Sequence, residues 1–156
     1  MSAEENKEKV RRFMEEAFGQ DKPQLLEDLL DPKFVRYDPY IEAGEVRGVQ
    51  TVKENITWFH NVFPDFTCTI EDQVAEGEKV VSRYTIRGTH QGEEFFGVPA
   101  SGKRLEMRGI QIDRFEGASW WKSGPSSTCS GCYSSSGPFP RRDKPKGRRK
   151  LRNFMC

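Results

Sequence analysis

The chain has 156 residues, 35% of them hydrophobic and 31% charged, with a formal net charge of +1, which allows one domain around one core. That near-neutral total averages two unlike pieces: residues 1–117 carry sixteen basic and twenty-three acidic side chains, whereas residues 118–156 carry nine Lys or Arg and one Asp. An acidic body does not suit nucleic acid, whose phosphates call for a basic face, and no apolar run is long enough to cross a bilayer.

Met1–Val10 is polar and charged, without the apolar centre of a signal peptide. Of the four cysteines only Cys68 lies in the body, so no disulfide framework is expected. A reducing, cytoplasmic setting fits that usage best.

From Ala3 to Phe18 the apolar residues Val10, Phe13, Met14, Ala17 and Phe18 recur at helical spacing opposite a charged face, and Gly19 reads as a C-terminal stop. Lys22–Leu30 predicts a second, short helix closed by Asp31-Pro32. A strand over Phe34–Tyr40 is ended by Pro39 and a turn at Glu42–Gly44. Val49–Phe63 predicts a third helix, with Val52, Ile56, Phe59 and Phe63 on one stripe and Pro64-Asp65 terminating it.

Beyond Asp65 the period becomes strand-like. Phe66–Val74, Lys79–His90 and Arg104–Phe115 are rich in Thr, Val, Ile and aromatics. Glu76-Gly77 predicts a tight hairpin, and Gln91–Gly102 a longer connection. Helices followed by a strand meander imply an α+β fold, with the helices on one side of a curved antiparallel sheet. Regular patterning stops at Gly117, and the tail holds eight serines and three of the four cysteines. Residues 118–156 are therefore expected to form a tail that does not pack against the body, or else Ser119–Lys122 pairs as a strand with the preceding one and buries one of the two tryptophan rings.

Several segments resemble the SnoaL-like polyketide cyclases, also called ester cyclases, of the nuclear transport factor 2-like superfamily. They are Phe34-Val35-Arg36-Tyr37-Asp38-Pro39, Phe63-Pro64-Asp65-Phe66, Ile70-Glu71-Asp72 leading to Val80, and Arg83 through Gly92, the strongest match. Phe96 through Lys103 and Ile110 through Gly117 complete the series, and the likeness spans roughly residues 6–117. The resemblance implies a cone, a bent sheet wrapped around three helices with an apolar pocket open at one end. It also implies proton abstraction beside a carbonyl in a small hydrophobic compound, without a cofactor, and a homodimer as a possible assembly.

In the family the Arg-Phe-Glu-Gly turn leads to a last strand reading roughly Ile-Val-Glu-x-Trp, then an Asp and a Leu-rich helix. Here Gly117 leads to Ala118-Ser119-Trp120-Trp121-Lys122. Read one base out of register, the codons of Trp120 and Trp121 force Val and those of Trp121 and Lys122 force Glu, and ordinary codons elsewhere give Lys-Leu-Val-Glu-Glu-Trp-Pro-Glu-Phe-Asp. One lost base near Gly117 accounts for the tail, leaves the last strand and helix missing, and places Thr128 at the position of the family's catalytic Asp. A Thr hydroxyl is not a general base near neutral pH, so the chain is expected to be inactive, or to bind a ligand or dimerise without chemistry.

The remaining candidates carry alternatives. His90 either donates to a bound carbonyl as a catalytic group or is an ordinary strand-end histidine. Trp58 lines the pocket mouth or packs on the core. Tyr37, Asp38 and Tyr40 flank the first strand's end, where Tyr40 contacts ligand or Asp38-Pro39 is turn chemistry. Tyr84 and Arg83 alternate along one strand, so only one faces the pocket. Arg108 is a ligand contact, or else Arg108 and Asp113 form an ion pair within the sheet. Cys129-Ser130-Gly131-Cys132 is half a metal site at most, so no metal is expected, and the basic run Arg141–Arg152 is a weak nucleic-acid signal.

Overall fold

The computed structural model describes residues 2–37, 45–95, 97–117 and 119–125, the side chains of Trp121 and Pro125 excepted. Helix α1 (Ala3–Arg11) starts in a capping box, in which Ser2 Oγ accepts from the Glu5 backbone N–H and Glu5 accepts from the Ser2 backbone N–H. It continues as a π-helical turn over Arg12–Phe18, closed by Gly19 N–H donating to Met14 O at 3.0 Å. All five apolar residues expected inside are buried. Gly19 is not a left-handed stop, because its φ is −75°. An added Cβ there would sit 2.7 Å from Glu15 O and 3.0 Å from Cys68 N, so close approach explains the glycine.

A 3₁₀ turn at Pro23–Leu25 leads into α2 (Leu26–Leu29). After it come β1 (Val35–Tyr37), β2 (Glu45–Arg47) and α3 (Val49–Val62). The meander follows as β3 (Thr67–Glu76), β4 (Lys79–Thr89) and β5 (Arg104–Glu116). Gly77, at φ +56°, makes the β3–β4 turn in a conformation that suits glycine.

A sixth strand, β6 (Ser119–Pro125), corrects the expectation that the last strand is missing and agrees with the alternative in which Ser119–Lys122 pairs with the preceding strand and buries one tryptophan ring. The sheet order is β2-β1-β6-β5-β4-β3, so β6 is interior. It runs antiparallel to β5 and parallel to β1, which makes the sheet mixed rather than wholly antiparallel. The register jumps from Arg114↔Lys122 to Phe115↔Trp120. Trp121 is thereby left as the extra residue of a bulge, and the bulge sets Trp120 on the inner face.

Each long strand alternates between an inner face against the helices and an outer face. On β5 the odd-numbered Leu105, Gln111, Asp113 and Phe115 are buried, whereas Arg104, Arg108 and Arg114 are exposed. On β3 a bulge between Ile70 and Asp72 exchanges the faces. Cys68 and Ile70 are buried before it, and Val74 is 61% exposed after it. No described helix is long and apolar enough to cross a membrane.

Candidate active site

The inner face of the sheet carries a row of polar side chains where hydrophobic ones would pack more simply. By register Gln73 lies beside Ser82, and Ser82 beside Gln111. One rung along, Asp113 lies between Val80 and Ser123. Gln73 Nε2 donates to Ser82 Oγ at 3.1 Å and to Lys7 O at 3.2 Å, and Arg11 donates to Gln73 Oε1 at 3.1 Å. That half of the row is satisfied.

Asp113 is the unusual member. It is completely buried, and Gln111 Nε2 donates to both carboxylate oxygens at 2.8 and 3.0 Å. Burial pushes its pKa up to about 7, against the opposing pull of Ser123, Gln111 and Trp120. Ser123 Oγ and Trp120 Nε1 face the carboxyl closely enough to favour its anion, yet neither closes a hydrogen bond of good geometry. A carboxyl poised near neutrality among neutral donors can both take and give a proton.

Trp120 fills the space beside this acid. Its indole is fully buried, stacked on Phe115 at 5.5 Å and met edge-on by Phe13 at 5.1 Å and Phe34 at 5.7 Å. Concavities of about 340 and 400 Å³ lie elsewhere, one at the β3–β4 turn and one lined by residues including Asp21, His60 and Asn61.

The residues singled out from sequence are dispersed. His90 is fully buried. Its Nε2 lies 3.0 Å from Glu93 O and its Nδ1 3.3 Å from Ser101 Oγ. A carbonyl only accepts, so the proton sits on Nε2 and Nδ1 accepts from the serine hydroxyl. The ring thus clasps the β4–β5 connection. Trp58 on α3 stacks on Phe95 at 5.6 Å, and Phe95 and His90 both pack near Phe63. His90 lies ten residues beyond Val80, the register partner of Asp113, or about 33 Å of strand contour at 3.3 Å per residue. The structure does not bring the two together.

Tyr84, not Arg83, takes the inner face, with its ring over Gly109, where a Cβ would meet Tyr84 Oη at 2.5 Å. Arg108 lies on the outer face and donates to Glu106 at 3.0 Å. The expected Arg108–Asp113 ion pair is therefore wrong, because an odd separation along a strand puts the two on opposite faces. Tyr40, Thr128, Cys129, Cys132 and the basic run 141–152 lie outside the described residues. Among those described, no three His, Cys, Asp or Glu side chains gather to hold a metal ion. Sequence reasoning set Asp113 aside, although an acid alternating in phase with Gln111 and Phe115 on a core-facing strand was the available signal.

Helices on one face of a bent mixed sheet, enclosing a buried acid, define an α+β domain of the nuclear transport factor 2-like class. Within that class the chain belongs to the SnoaL-like polyketide cyclase family, whose pattern matches residues 8–119. It is similar in structure to TsrD from Streptomyces laurentii, at 26% identity over 77% of this chain and 83% of that one, with a TM-score of 0.62. IdmH from Streptomyces antibioticus, provisionally assigned as a polyketide cyclase, is 25% identical over 84% of this chain and 92% of its own, with a TM-score of 0.65. A SnoaL-like polyketide cyclase from Agrobacterium tumefaciens shares the fold at 14% identity, covering 80% and 91%, with a TM-score of 0.62. No curated protein matches significantly.

Proposed function

We propose that the inner face of this sheet supports cyclase- or isomerase-type acid/base chemistry on a small hydrophobic carbonyl compound, without a cofactor, and that Asp113 is the proton-exchanging group. The observation that supports this is the wholly buried Asp113 carboxyl, raised to about 7. As carboxylate it takes a proton from the carbon beside the carbonyl, and the enolate oxygen then needs a donor. The Ser123 hydroxyl and the Gln111 amide stand on the same face for that purpose. The Trp120 indole covers the acid, so the chain as it stands is expected to be inactive. A cytoplasmic setting agrees with the free, buried Cys68 thiol.

The test is α-deuteration of small aryl ketones in D₂O, followed by NMR, using the Trp120→Leu variant, which uncovers Asp113 and keeps Ser123 and Thr128. Exchange should exceed the buffer rate by about 10²-fold or more, and Asp113→Asn should abolish it. Equal exchange by both proteins would move the role to His90 or a tyrosine.

The alternative is a non-catalytic ligand-binding or dimerisation module. Exposed Val74 on the outer face, with Val81 and Ile112 in register beside it, favours association with a second copy. Sedimentation as a dimer that Val74→Lys dissociates, with no α-deuteration, would favour this reading.

A further inference from the structure

Three cations lie side by side on the outer face of the sheet, the face away from Asp113. By register Lys79 on β4 is opposite Arg114 on β5, and Arg114 is opposite Lys122 on β6. Like charges directly opposite one another destabilise a sheet. Among the described residues neither Lys79 nor Arg114 forms an ion pair. Lys122 reaches the row through the bulge at Trp121. Had the pairing of Phe115 with Trp120 continued without it, Trp121 would face Arg114, and Lys122 would point inward beside Asp113. The bulge re-aims it outward, where its ammonium lies 4.4 Å from the Tyr37 ring centroid. Lys79 and Arg114 also line the concavity of about 340 Å³ at the β3–β4 turn.

We propose that this row binds a dianionic phosphate group, free or as the monoester of a small molecule, independently of the chemistry assigned to the inner face. The Arg114 guanidinium at the centre can donate to two phosphate oxygens at once, and the lysines on either side add point charges. The anion turns the mutual repulsion of the row into attraction to a common partner. Glu76 and Glu78 line the same concavity and oppose an anion there, which sets the expected dissociation constant on the order of 1 mM.

The experiment titrates the full chain into inorganic phosphate and, separately, methyl phosphate at pH 8 and constant ionic strength, read by ³¹P NMR line width. Saturable broadening is expected. Tighter binding of methyl phosphate assigns the site to a monoester, and tighter binding of inorganic phosphate assigns it to the free ion. Lys122→Gln and Arg114→Gln should each weaken binding about fivefold or more. Arg104→Gln, the same charge change at the far end of β5, should change it less than about twofold. Lys122→Glu should abolish binding and, without phosphate, raise the melting midpoint, because it places an opposite charge beside Arg114. No saturable binding of either compound, equal weakening by Arg104→Gln, or unchanged binding in Lys122→Glu overturns the proposal.

Discussion

Trp120 stacks on Phe115 with ring centroids 5.5 Å apart and an interplanar angle of 25°, and this contact carries the sequence beyond Gly117 into the core. Two further ties hold the segment. Ser119 Oγ donates to the Asp31 carboxylate, and the Asp31 backbone N–H donates to Trp120 O at 3.1 Å. The sheet would otherwise end at β5 with unpaired backbone groups along its edge.

Trp120→Ala should therefore cost about 3–5 kcal/mol, the range for removing a buried large aromatic, read as a lower urea midpoint. A chain stopped after Pro125 should keep a cooperative transition close to that of the full chain, whereas one stopped after Gly117 should lose it. Limited proteolysis should leave a core ending near Pro125. A stable core ending at Gly117 would contradict the place of β6 in the sheet.

The gene should lack one base near the codons for Gly117 and Ala118. Restoring it puts Leu in place of Trp120 and continues the reading into a Leu-rich helix. Sequencing that stretch in the source DNA checks the idea directly. A stop codon early in the shifted frame would rule it out.

The fold was legible wherever a period was long. The α1, α3, β4 and β5 ranges follow from apolar spacing alone, since burial of Val10, Phe13, Ile56 and Val80 requires those periods. What escaped depended on single-residue register. The bulge at Glu71 reverses the faces of β3, and the bulge at Trp121 turns an apparently patternless tail into an interior strand. Neither leaves a periodic trace. The three-residue β2 is too short to show alternation. Asp113 was missed because a charged residue on a strand is ordinarily outward and paired, and only the phase of its neighbours says otherwise.

His90 clasps its connection through both ring nitrogens and through its backbone, whose carbonyl accepts from the N–H groups of Ser101 and Gly102 at 3.1 and 2.8 Å. His90→Ala should leave the Glu93 carbonyl and the Ser101 hydroxyl without their ring partner and cost about 1–3 kcal/mol. Proteases should then cut first within residues 91–103. Unchanged protection of that stretch would deny the ring its holding role.

The pH dependence of stability gives the most direct reading of Asp113. Its carboxyl titrates near 3.8 when unperturbed and near 7 in the fold. Folding therefore favours the protonated form, and the stability that form provides is complete below about pH 4 and lost as pH rises to 7. A shift of that size corresponds to about 4 kcal/mol, with a slope of at most about 1.4 kcal/mol per pH unit. The carboxylates of Glu5, Glu27, Asp31, Asp65 and Glu106 are lowered and act in the opposite sense, losing their contribution only as pH falls below the usual carboxylate range. Comparison with Asp113→Asn cancels them. Asn keeps the shape of the neutral acid, its oxygen still accepts from Gln111, and its amide can donate to the Ser123 hydroxyl, which has no hydrogen-bond partner among the described residues. The nearest inner-face charge by register is Arg36, one strand beyond Ser123, which donates to Asn55. Urea unfolding at pH 4.5 and pH 8 should show the two proteins nearly equal at the lower pH and the Asn variant clearly more stable at the higher. A wild-type advantage at pH 8 would mean that Asp113 is ionised and well paired in the fold, and its place as a proton-exchanging group would be lost with it.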